Sequence, residues 1–263
     1  MLILPVVVSI IASYALVPAL QPILGQKQEK NYAGHQVPTG LGLTFVFSAV
    51  LGWMAFPDVM QGQWPAVVVV LGFGLLGLID DLLGDRMQRG FRGHLSAFVQ
   101  GRLTTGALKA FGGAVLALLV ARLTRAGVGF AVIQALLMVL MANFINLLDL
   151  RPGRAGKVVV CLSLPLVLIG SKTHWLLVLI GAVIGYLPWD LREKAMMGDT
   201  GANALGAALG FAMAASLPVW LQIAVLLALA FLNLASERVS FSRIIAQNRV
   251  LRWLDELGRT GGE

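Results

Sequence analysis

Two short segments of this sequence contain aspartates in a pattern that is typical of an ion-binding or phosphate-binding site. Asp80 and Asp81 are adjacent at the end of an apolar run, and no cationic residue follows within the next four positions. Two like charges at the edge of a low-dielectric region need a counterion. Asp199 lies in the glycine-flanked segment 197–203, where backbone N–H groups could approach a phosphate and the carboxylate offers an oxygen ligand to a cation. The candidate substrate-binding residues of this segment are Gly198, Thr200 and Asn203.

Two further polar patterns accompany these carboxylates. Asn143, Asn146 and Asp149 recur at positions i, i+3 and i+6 of an apolar run. On a helix they drift around one face, so we expect two amides and a carboxylate to point into a bundle together. Thr39 lies in a Pro-Thr-Gly turn before the next apolar run, and the turn alone predicts only the entry to a helix.

Each pattern also has a structural alternative. The pair Asp80 and Asp81 could be a solvated helix end that forms weak ion pairs with Arg86 or Arg89. The asparagines could form hydrogen bonds between membrane helices, and the segment 197–203 could only cap a helix. The three histidines are scattered along the chain, so they do not predict a histidine metal site.

The composition indicates what must position these groups. Of the 263 residues, 58% are hydrophobic and 13% are charged, against roughly half and about a quarter in soluble domains. An ordinary soluble domain could not bury so much apolar surface, so the composition favours a membrane protein. The lone Cys161 excludes an intramolecular disulfide and a thiolate metal site. The net charge of +7 is compatible with nucleic acid, anionic lipid or an anionic substrate, and the short basic loops without interleaved aromatic residues argue against nucleic acid.

The apolar residues form nine runs, and the sixth is short for a membrane span. The runs cover approximately residues 2–24, 41–57, 64–79, 106–123, 128–148, 158–170, 174–189, 203–217 and 218–235. The pattern predicts an all-α integral membrane protein, a polytopic helix bundle of about nine transmembrane helices. The first run lacks a basic start and a cleavage site, so we interpret it as a spanning helix rather than a signal peptide.

The basic residues predict the orientation of this bundle. With nine spans, 17 of the 20 Lys and Arg residues fall on one side of the membrane. The positive-inside rule makes that side cytoplasmic, with the N-terminus outside and the C-terminus inside. All acidic residues except Asp58 fall on the same side. We therefore expect a multi-pass protein of the cell membrane whose active site faces the cytoplasm.

The order of these motifs resembles a known enzyme family. A Pro-Thr-Gly turn is followed by GLIDD at 77–81, NFINLLD at 143–149 and MGDTGANALG at 197–206. This order, over about residues 35–210, is similar to the polyprenyl-phosphate N-acetylhexosamine-1-phosphate transferase superfamily, of the MraY and WecA type. The resemblance implies a cytoplasmic magnesium-dependent site, in which Mn²⁺ is a possible substitute. The residue roles that it implies are metal binding by Asp199 and Asp80, catalysis by Asp80, Asp81, Asp149 and Asp199, and substrate binding by Thr39, Lys109, Asn143 and Asn146.

The chain departs from this family in two places. Family members usually carry a second acid shortly after the position of Asp149, where this chain has Leu150, Arg151 and Pro152. They also carry a histidine-rich loop, whereas residues 236–263 contain no histidine. That segment is amphipathic and basic, as expected of a helix at the surface of anionic lipid. We expect residues 1–235 to form the catalytic bundle and residues 236–263 a cytoplasmic tail.

The resemblance implies transfer of a sugar 1-phosphate from a UDP-sugar to polyprenyl phosphate, with release of UMP, in cell-envelope glycan synthesis. The partners would be these two substrates and membrane lipids, with a homodimer as a possible assembly. Arg151 and Arg154 would attract the anionic substrates, although positive-inside anchoring also explains them. Two alternatives stay open: a catalytically impaired relative that acts as a scaffold or lipid-phosphate binder, and a transporter, against which the edge position of the acids argues.

Overall fold

The computed structural model describes residues 2–84, 104–124 and 127–260, and these residues form eleven α-helices and one short hairpin. Arg86 and Arg89, the alternative ion-pair partners of Asp80 and Asp81, lie outside the described residues. The helices are α1 Ile3–Leu24, α2 Leu43–Ala55, α3 Pro65–Leu83, α4 Thr105–Leu123, α5 Val128–Leu148, α6 Arg154–Ile169, α7 Trp175–Leu191, α8 Gly198–Ser216, α9 Val219–Ser236, α10 Phe241–Gln247 and α11 Arg249–Glu256. The strands are β1 Gln28–Lys30 and β2 Gln36–Pro38.

Helices α1 to α9 coincide with the nine apolar runs of the sequence, and the all-α membrane class is confirmed. Five of them, α1, α3, α4, α5 and α9, are long and apolar enough to cross a membrane, and α2 and α7 are shorter apolar helices. That all nine cross the membrane stays a prediction. Helix α6 begins at Arg154 and α8 begins at Gly198, earlier than the apolar runs indicate, because polar residues form the first turn of each helix.

Helix α8 lies at the centre of the bundle and packs against α3 and α5 through small residues. Nearly every residue from Thr200 to Ala214 is buried. A Cβ atom at Gly206 would lie 2.5 Å from the Met141 carbonyl oxygen, and one at Gly210 would lie 2.5 Å from the Leu137 carbonyl oxygen. Such contact between backbones replaces the hydrophobic driving force that is missing between helices in lipid.

The hairpin, absent from the helical prediction, connects the start of α2 to the start of α8. Its strands pair antiparallel, with Glu29 opposite Val37. The chain after β2 then pairs with the segment before α8: the Met196 amide donates to the Pro38 carbonyl at 2.9 Å, and the Leu41 amide donates to the Met196 carbonyl at 3.1 Å. The Thr39 turn is thereby held beside the first turn of α8.

Helices α10 and α11 fold back onto the end of the bundle. The Asp255 carboxylate accepts two hydrogen bonds from Arg154, at 2.7 and 2.8 Å, and it lies 2.8 Å from the Arg259 guanidinium. The Lys157 ammonium donates to the carbonyls of Leu254, Asp255 and Leu257 at the C-terminal end of α11, where a cation is favourable. The tail is therefore bound to the start of α6 by a buried arginine and a helix-capping lysine.

We expect Gly206→Ala to destabilise the bundle. The added methyl group would meet backbone atoms of α5, which cannot rotate away, so helices α5 and α8 must separate at a cost of about 1–3 kcal/mol. Gly129→Ala is the matched control, because a Cβ atom there would have no neighbour within 4 Å. Thermal unfolding in detergent should show a lower midpoint for Gly206→Ala only, and equal midpoints would contradict the close contact.

We expect Asp255→Asn to loosen the tail. Burial raises the pKa of Asp255, but hydrogen bonds and charge from Arg154, with the charge of Arg259, outweigh burial and lower it below its usual value. The stabilisation is therefore complete above the ordinary aspartate pKa of about 4 and is lost as the pH falls through the lowered pKa. Hydrogen bonds to charged groups contribute about 1.5 kcal/mol, or roughly tenfold in the population of the undocked tail.

Amide hydrogen exchange of α11, in detergent and corrected for intrinsic rates, measures this effect. At neutral pH, protection should fall about tenfold in Asp255→Asn. Below the lowered pKa the variant and the wild type should become equal. Glu256→Gln is the control, since Glu256 is an exposed carboxylate on the same helix. Equal protection of Asp255→Asn and the control at neutral pH would contradict the docked tail.

Candidate active site

Lys109 joins two of the carboxylates that the sequence singles out. Its ammonium lies 2.9 Å from Asp80 Oδ2 and forms an ion pair with Asp199 Oδ2. These residues belong to α4, to the C-terminal end of α3 and to the first turn of α8. All three side chains are about one-fifth exposed, so the cluster is partly accessible. The structure thus brings together three predicted site residues that are 29 or more positions apart in the sequence.

Asp81 has a different environment from its neighbour Asp80. Its Oδ1 accepts a hydrogen bond of 2.9 Å from the Asp199 amide, and its Oδ2 accepts from the Thr200 amide at 2.9 Å and from the Thr200 hydroxyl at 2.6 Å. A carboxylate at this position satisfies the free N–H groups of a helix N-terminus and interacts favourably with the helix dipole. The amides that the sequence pattern suggests for a phosphate are therefore bound to Asp81 in this structure.

Glycines make the approach of Asp81 to α8 possible. Gly198 has a φ of +65°, and a Cβ atom there would lie 2.5 Å from Asp81 Oδ2. A Cβ atom at Gly77, one turn before Asp81 in α3, would lie 2.2 Å from the Asp199 carbonyl oxygen. Side chains at either position would push α3 away from the first turn of α8. Gly77 of the GLIDD motif is thus explained by close contact with the Asp199 backbone, and Gly198 of the GDTG motif by close contact with the Asp81 carboxylate.

The Thr39 turn joins the same cluster, although the sequence alone indicates only a helix entry there. Thr39 is buried. At the next residue, Gly40, a Cβ atom would lie 3.6 Å from Asp81 Oδ2. Gly42 touches Gly201 of α8 so closely that a Cβ atom would lie 2.4 Å from the Gly201 Cα. The first and last motifs of the sequence therefore meet at Asp81.

Asp149 directly follows the last residue of α5, and it is close enough to this cluster for the charges of Asp81 and Asp199 to act on its carboxyl group. Burial raises the pKa of the Asp149 carboxyl well above its usual value, and the negative charges of Asp190, Asp199 and Asp81 raise it further. The four predicted carboxylates thus lie at the same end of the bundle. Asn146, one turn before Asp149, is half-buried.

Asp190 is a buried carboxylate that the sequence reasoning did not single out. It lies near the end of α7, and its Oδ2 accepts a hydrogen bond of 2.9 Å from the Gly153 amide, just before α6. Gly153 has a φ of +72°, and Asp190 therefore fixes the turn between Asp149 and Arg154. The signal that could have found it is the one used for Asp80: a carboxylate at the C-terminal end of an apolar run.

Asn143 lies apart from the cluster. It is exposed on the outside of the bundle, and its side-chain amide donates a hydrogen bond to the side-chain Oδ1 of Asn233 in α9. Asn233 in turn donates to the carbonyls of Leu140 and Leu229. Six helical residues rotate the side chain by about 120° relative to Asp149, so the two do not share a face. The contact of Asn143 corresponds to the alternative of hydrogen bonding between membrane helices.

Asn203 lies one turn beyond Asp199 on the same side of α8. It is only 3% exposed, and its side-chain Nδ2 has no hydrogen-bond partner among the described residues. A buried amide without a partner is rare, because the lost hydrogen bonds cost about 1–3 kcal/mol. The donor is therefore suited to an anionic group at this end of the bundle.

Of the two predicted anion-binding arginines, Arg154 is engaged by the tail and Arg151 lies at the rim. The Arg154 guanidinium binds Asp255 and donates to the Ser242 hydroxyl at 2.8 Å. The Arg151 guanidinium lies 4.2 Å from the centroid of the Tyr32 ring in the hairpin. The Tyr32 hydroxyl donates to Glu193, which raises the pKa of the phenol. A stacked guanidinium keeps its N–H edge available for an anion.

A divalent cation is compatible with this donor set only if it has further ligands. Among residues 2–84, 104–124 and 127–260, no three Asp, Glu, His or Cys side chains lie close enough to hold a metal ion. Asp80 and Asp199 provide two carboxylates that converge on one cation, the Lys109 ammonium. Mg²⁺ is usually held by one or two carboxylates together with water and substrate phosphates. The pair therefore fits Mg²⁺ in the presence of a phosphate substrate.

Comparison with known proteins identifies the family. The pattern of glycosyl transferase family 4 matches residues 64–217, which include α3 to α8. The phospho-N-acetylmuramoyl-pentapeptide-transferase of Caldicellulosiruptor bescii is 26% identical over 242 residues, 82% of this chain and 74% of the relative. The protein of the same name from Oceanobacillus iheyensis is 26% identical over 267 residues, covering 86% and 77%, and that from Deinococcus radiodurans is 28% identical over 218 residues, covering 76% and 69%.

The matched region contains every motif that surrounds Asp81 except the Thr39 turn. The alignments with the relatives extend over most of both chains, so the similarity is not confined to a short motif. The chain belongs to glycosyl transferase family 4, the polyprenyl-phosphate N-acetylhexosamine-1-phosphate transferase superfamily that its sequence resembles.

Proposed function

We propose that this protein transfers a sugar 1-phosphate from a UDP-sugar to a polyprenyl phosphate at the membrane and releases UMP. The observation that carries the proposal is the meeting of Asp80, Lys109 and Asp199 at one end of an apolar helix bundle. A site at this position suits a reaction between a lipid-anchored phosphate and a water-soluble nucleotide. The membership of the family and the printed names of the relatives support the same reaction type.

The chemistry proposed is a displacement at phosphorus. An oxygen of the lipid phosphate forms a bond to the β-phosphorus of the UDP-sugar, and the bond from that phosphorus to the bridging oxygen breaks. The bridging oxygen leaves with UMP, and the product is a lipid-linked sugar pyrophosphate. A phosphate monoester is already largely dianionic at pH 7, because its second pKa is about 6. The main barrier is therefore the approach of two anions, and catalysis is mostly positioning and charge neutralisation.

Asp199 and Asp80 are the residues that would hold Mg²⁺, with Mn²⁺ as a possible substitute. When bound, the metal would supply positive charge to the phosphate oxygens at the reacting centre. The partly exposed pair of carboxylates and the need for further oxygen ligands support this assignment. Asp199 ranks above Asp80 as the proposed metal ligand because it lies in the first turn of α8, which Asp81 fixes through hydrogen bonds.

The remaining residues have distinct proposed roles. Lys109 holds the Asp80 and Asp199 carboxylates together and brings a positive charge to the site. Asp81 positions Asp199 through the backbone of α8 and does not itself contact substrate. Asn203 offers an unpaired amide donor to an anion, and Arg151 offers its guanidinium edge at the rim. Asp149 contributes a carboxyl that is protonated more readily than usual, as its raised pKa indicates.

The orientation of the site belongs to the same proposal. The charge asymmetry of the sequence supports a cell-membrane location with the N-terminus outside and the site facing the cytoplasm, where nucleotide sugars are available. The transporter alternative has no support from the described carboxylates, since all of them except Asp58 gather at one end of the helices, and Asp58 lies in the connection between α2 and α3 rather than at the midplane.

We expect the purified protein to release UMP when it is given Mg²⁺, polyprenyl phosphate and a suitable UDP-sugar from a panel. Chelation by EDTA should abolish release, and added Mg²⁺ or Mn²⁺ should restore it. Asp199→Asn should lower turnover at least about a thousandfold, because a neutral amide cannot balance the charge of the metal. If lipid phosphate binds but no UDP-sugar yields UMP, the catalytically impaired relative becomes the correct interpretation.

We expect Asp80→Asn and Asp81→Asn to fail in different ways. Asp80→Asn should lower turnover and raise the Mg²⁺ concentration required, with little change in the thermal midpoint. Asp81→Asn should lower the thermal midpoint, because the amide cannot accept all three hydrogen bonds from the first turn of α8 and the loss costs about 1–3 kcal/mol. Its residual activity should retain the wild-type Mg²⁺ requirement. Identical behaviour of the two variants in both assays would contradict the division of roles.

A further inference from the structure

Among the residues that the structure describes, one face of α11 in the docked tail has no protein partner. Val250, Trp253 and Leu254 occur at i, i+3 and i+4 and form one face of this helix. They are 66%, 62% and 46% exposed. Asp255, on the other side of the helix, is the residue that faces the bundle and binds Arg154. The helix is therefore attached through its polar side and directs its apolar side away from the protein.

The position of the tail identifies what covers this face. Helix α10 begins five residues after the end of α9, a helix long and apolar enough to cross a membrane. The Phe241 ring at the start of α10 packs edge-on against Phe144 near the end of α5, with 6.4 Å between the ring centroids. Since α5 and α9 are both candidate spans, their ends lie at the boundary between hydrocarbon and headgroups. Trp and Leu on an amphipathic helix are favourable at this depth.

The charges of the tail are complementary to an anionic membrane. Arg243, Arg249 and Arg252 are exposed, and in the described part of the chain no carboxylate forms an ion pair with any of them. Asp255 is neutralised by Arg154 and Arg259 instead. Basic residues at a membrane surface attract anionic lipid headgroups, each contributing to binding. The docking of Asp255 onto the bundle thus removes a negative charge from competition for these arginines.

We infer that α10 and α11 form an interfacial anchor that binds anionic phospholipid at the membrane surface. The apolar face of Val250, Trp253 and Leu254 enters the boundary of the acyl chains. Arg249, beside that face, and Arg243 of α10 bind lipid phosphates. Asp255 and Lys157 attach the anchor to the segment that follows Asp149, so the membrane surface and the end of α5 are mechanically joined. This inference does not require the protein to be catalytically active.

A fluorescent probe on single cysteines of the full chain tests the anchor. In a Cys161→Ser background, an environment-sensitive dye is attached at Val250→Cys, on the apolar face, or at Glu256→Cys, on the polar face. The protein is placed in nanodiscs of phosphatidylcholine with or without phosphatidylglycerol. We expect emission at position 250 to be shifted to the blue and iodide quenching to be at least about threefold weaker than at position 256. Phosphatidylglycerol should strengthen that protection.

Charge variants separate the role of the arginines from simple burial. Arg243→Gln with Arg249→Gln should remove the effect of phosphatidylglycerol, and Arg192→Gln, an exposed arginine at the end of α7, should leave it unchanged. Equal quenching at positions 250 and 256 in nanodiscs would overturn the inference. It would also be overturned if phosphatidylglycerol had no effect, or if position 250 were protected in detergent by a second copy of the chain, seen as a dimer by size and light scattering.

Discussion

Asp81 accepts three hydrogen bonds from the first turn of α8, and the arrangement of the other site residues depends on that contact. The N-terminus of a helix presents free N–H groups and a positive dipole end, and in a membrane bundle water is scarce there. A carboxylate from α3 satisfies both requirements. Because Gly77 and Gly198 have no side chains, α3 can approach α8 closely enough for the contact to form. Asp199 and Asp80 are thereby held at a fixed separation on neighbouring helices.

Several carboxylates coexist at one end of an apolar bundle because each has a donor or a cation nearby. Asp81 is stabilised by backbone donors, Asp80 and Asp199 share the Lys109 ammonium, and Asp190 accepts from the Gly153 amide. Each negative charge therefore has its own donor or cation, which is the condition under which buried charges are tolerated. Asp149 differs, since nearby negative charges and burial raise its pKa. The site thus contains carboxyl groups with different affinities for protons.

The tail extends this electrostatic arrangement to the membrane surface. Arg154 begins α6 and Asp190 fixes the preceding turn, so the segment between α5 and α6 is held from the bundle side. Asp255 holds the same segment from the tail side. A helix that is bound through its acidic side has its apolar side free for lipid. The distribution of polar and apolar residues on α11 is therefore explained by two partners, the bundle and the bilayer.

Much of this description could be predicted from the sequence because it depends on local pattern. The apolar runs specify membrane helices by length and hydropathy, and they coincide with α1 to α9. The short motifs around Asp80 and Asp199 marked the family, because glycines and acids at fixed spacing are rare by chance. Local pattern could not predict which of several available groups each polar side chain binds. Adjacent residues on a helix point about 100° apart, and so Asp80 meets Lys109 while Asp81 meets α8.

The remaining assignments required the packing of distant segments. The sequence permitted Asn143 to face either the site or a neighbouring helix, and the position of α9 selects the second. It likewise permitted Arg154 to bind substrate or to anchor the chain, and the return of the tail brings Asp255 to it. Hydropathy and motif spacing determine which segments enter the membrane and which residues lie at their ends. The choice among alternative hydrogen-bond partners depends on helix rotation and on contacts between distant segments, such as Asp81 and Thr200, which are 119 residues apart, and local sequence does not encode these contacts.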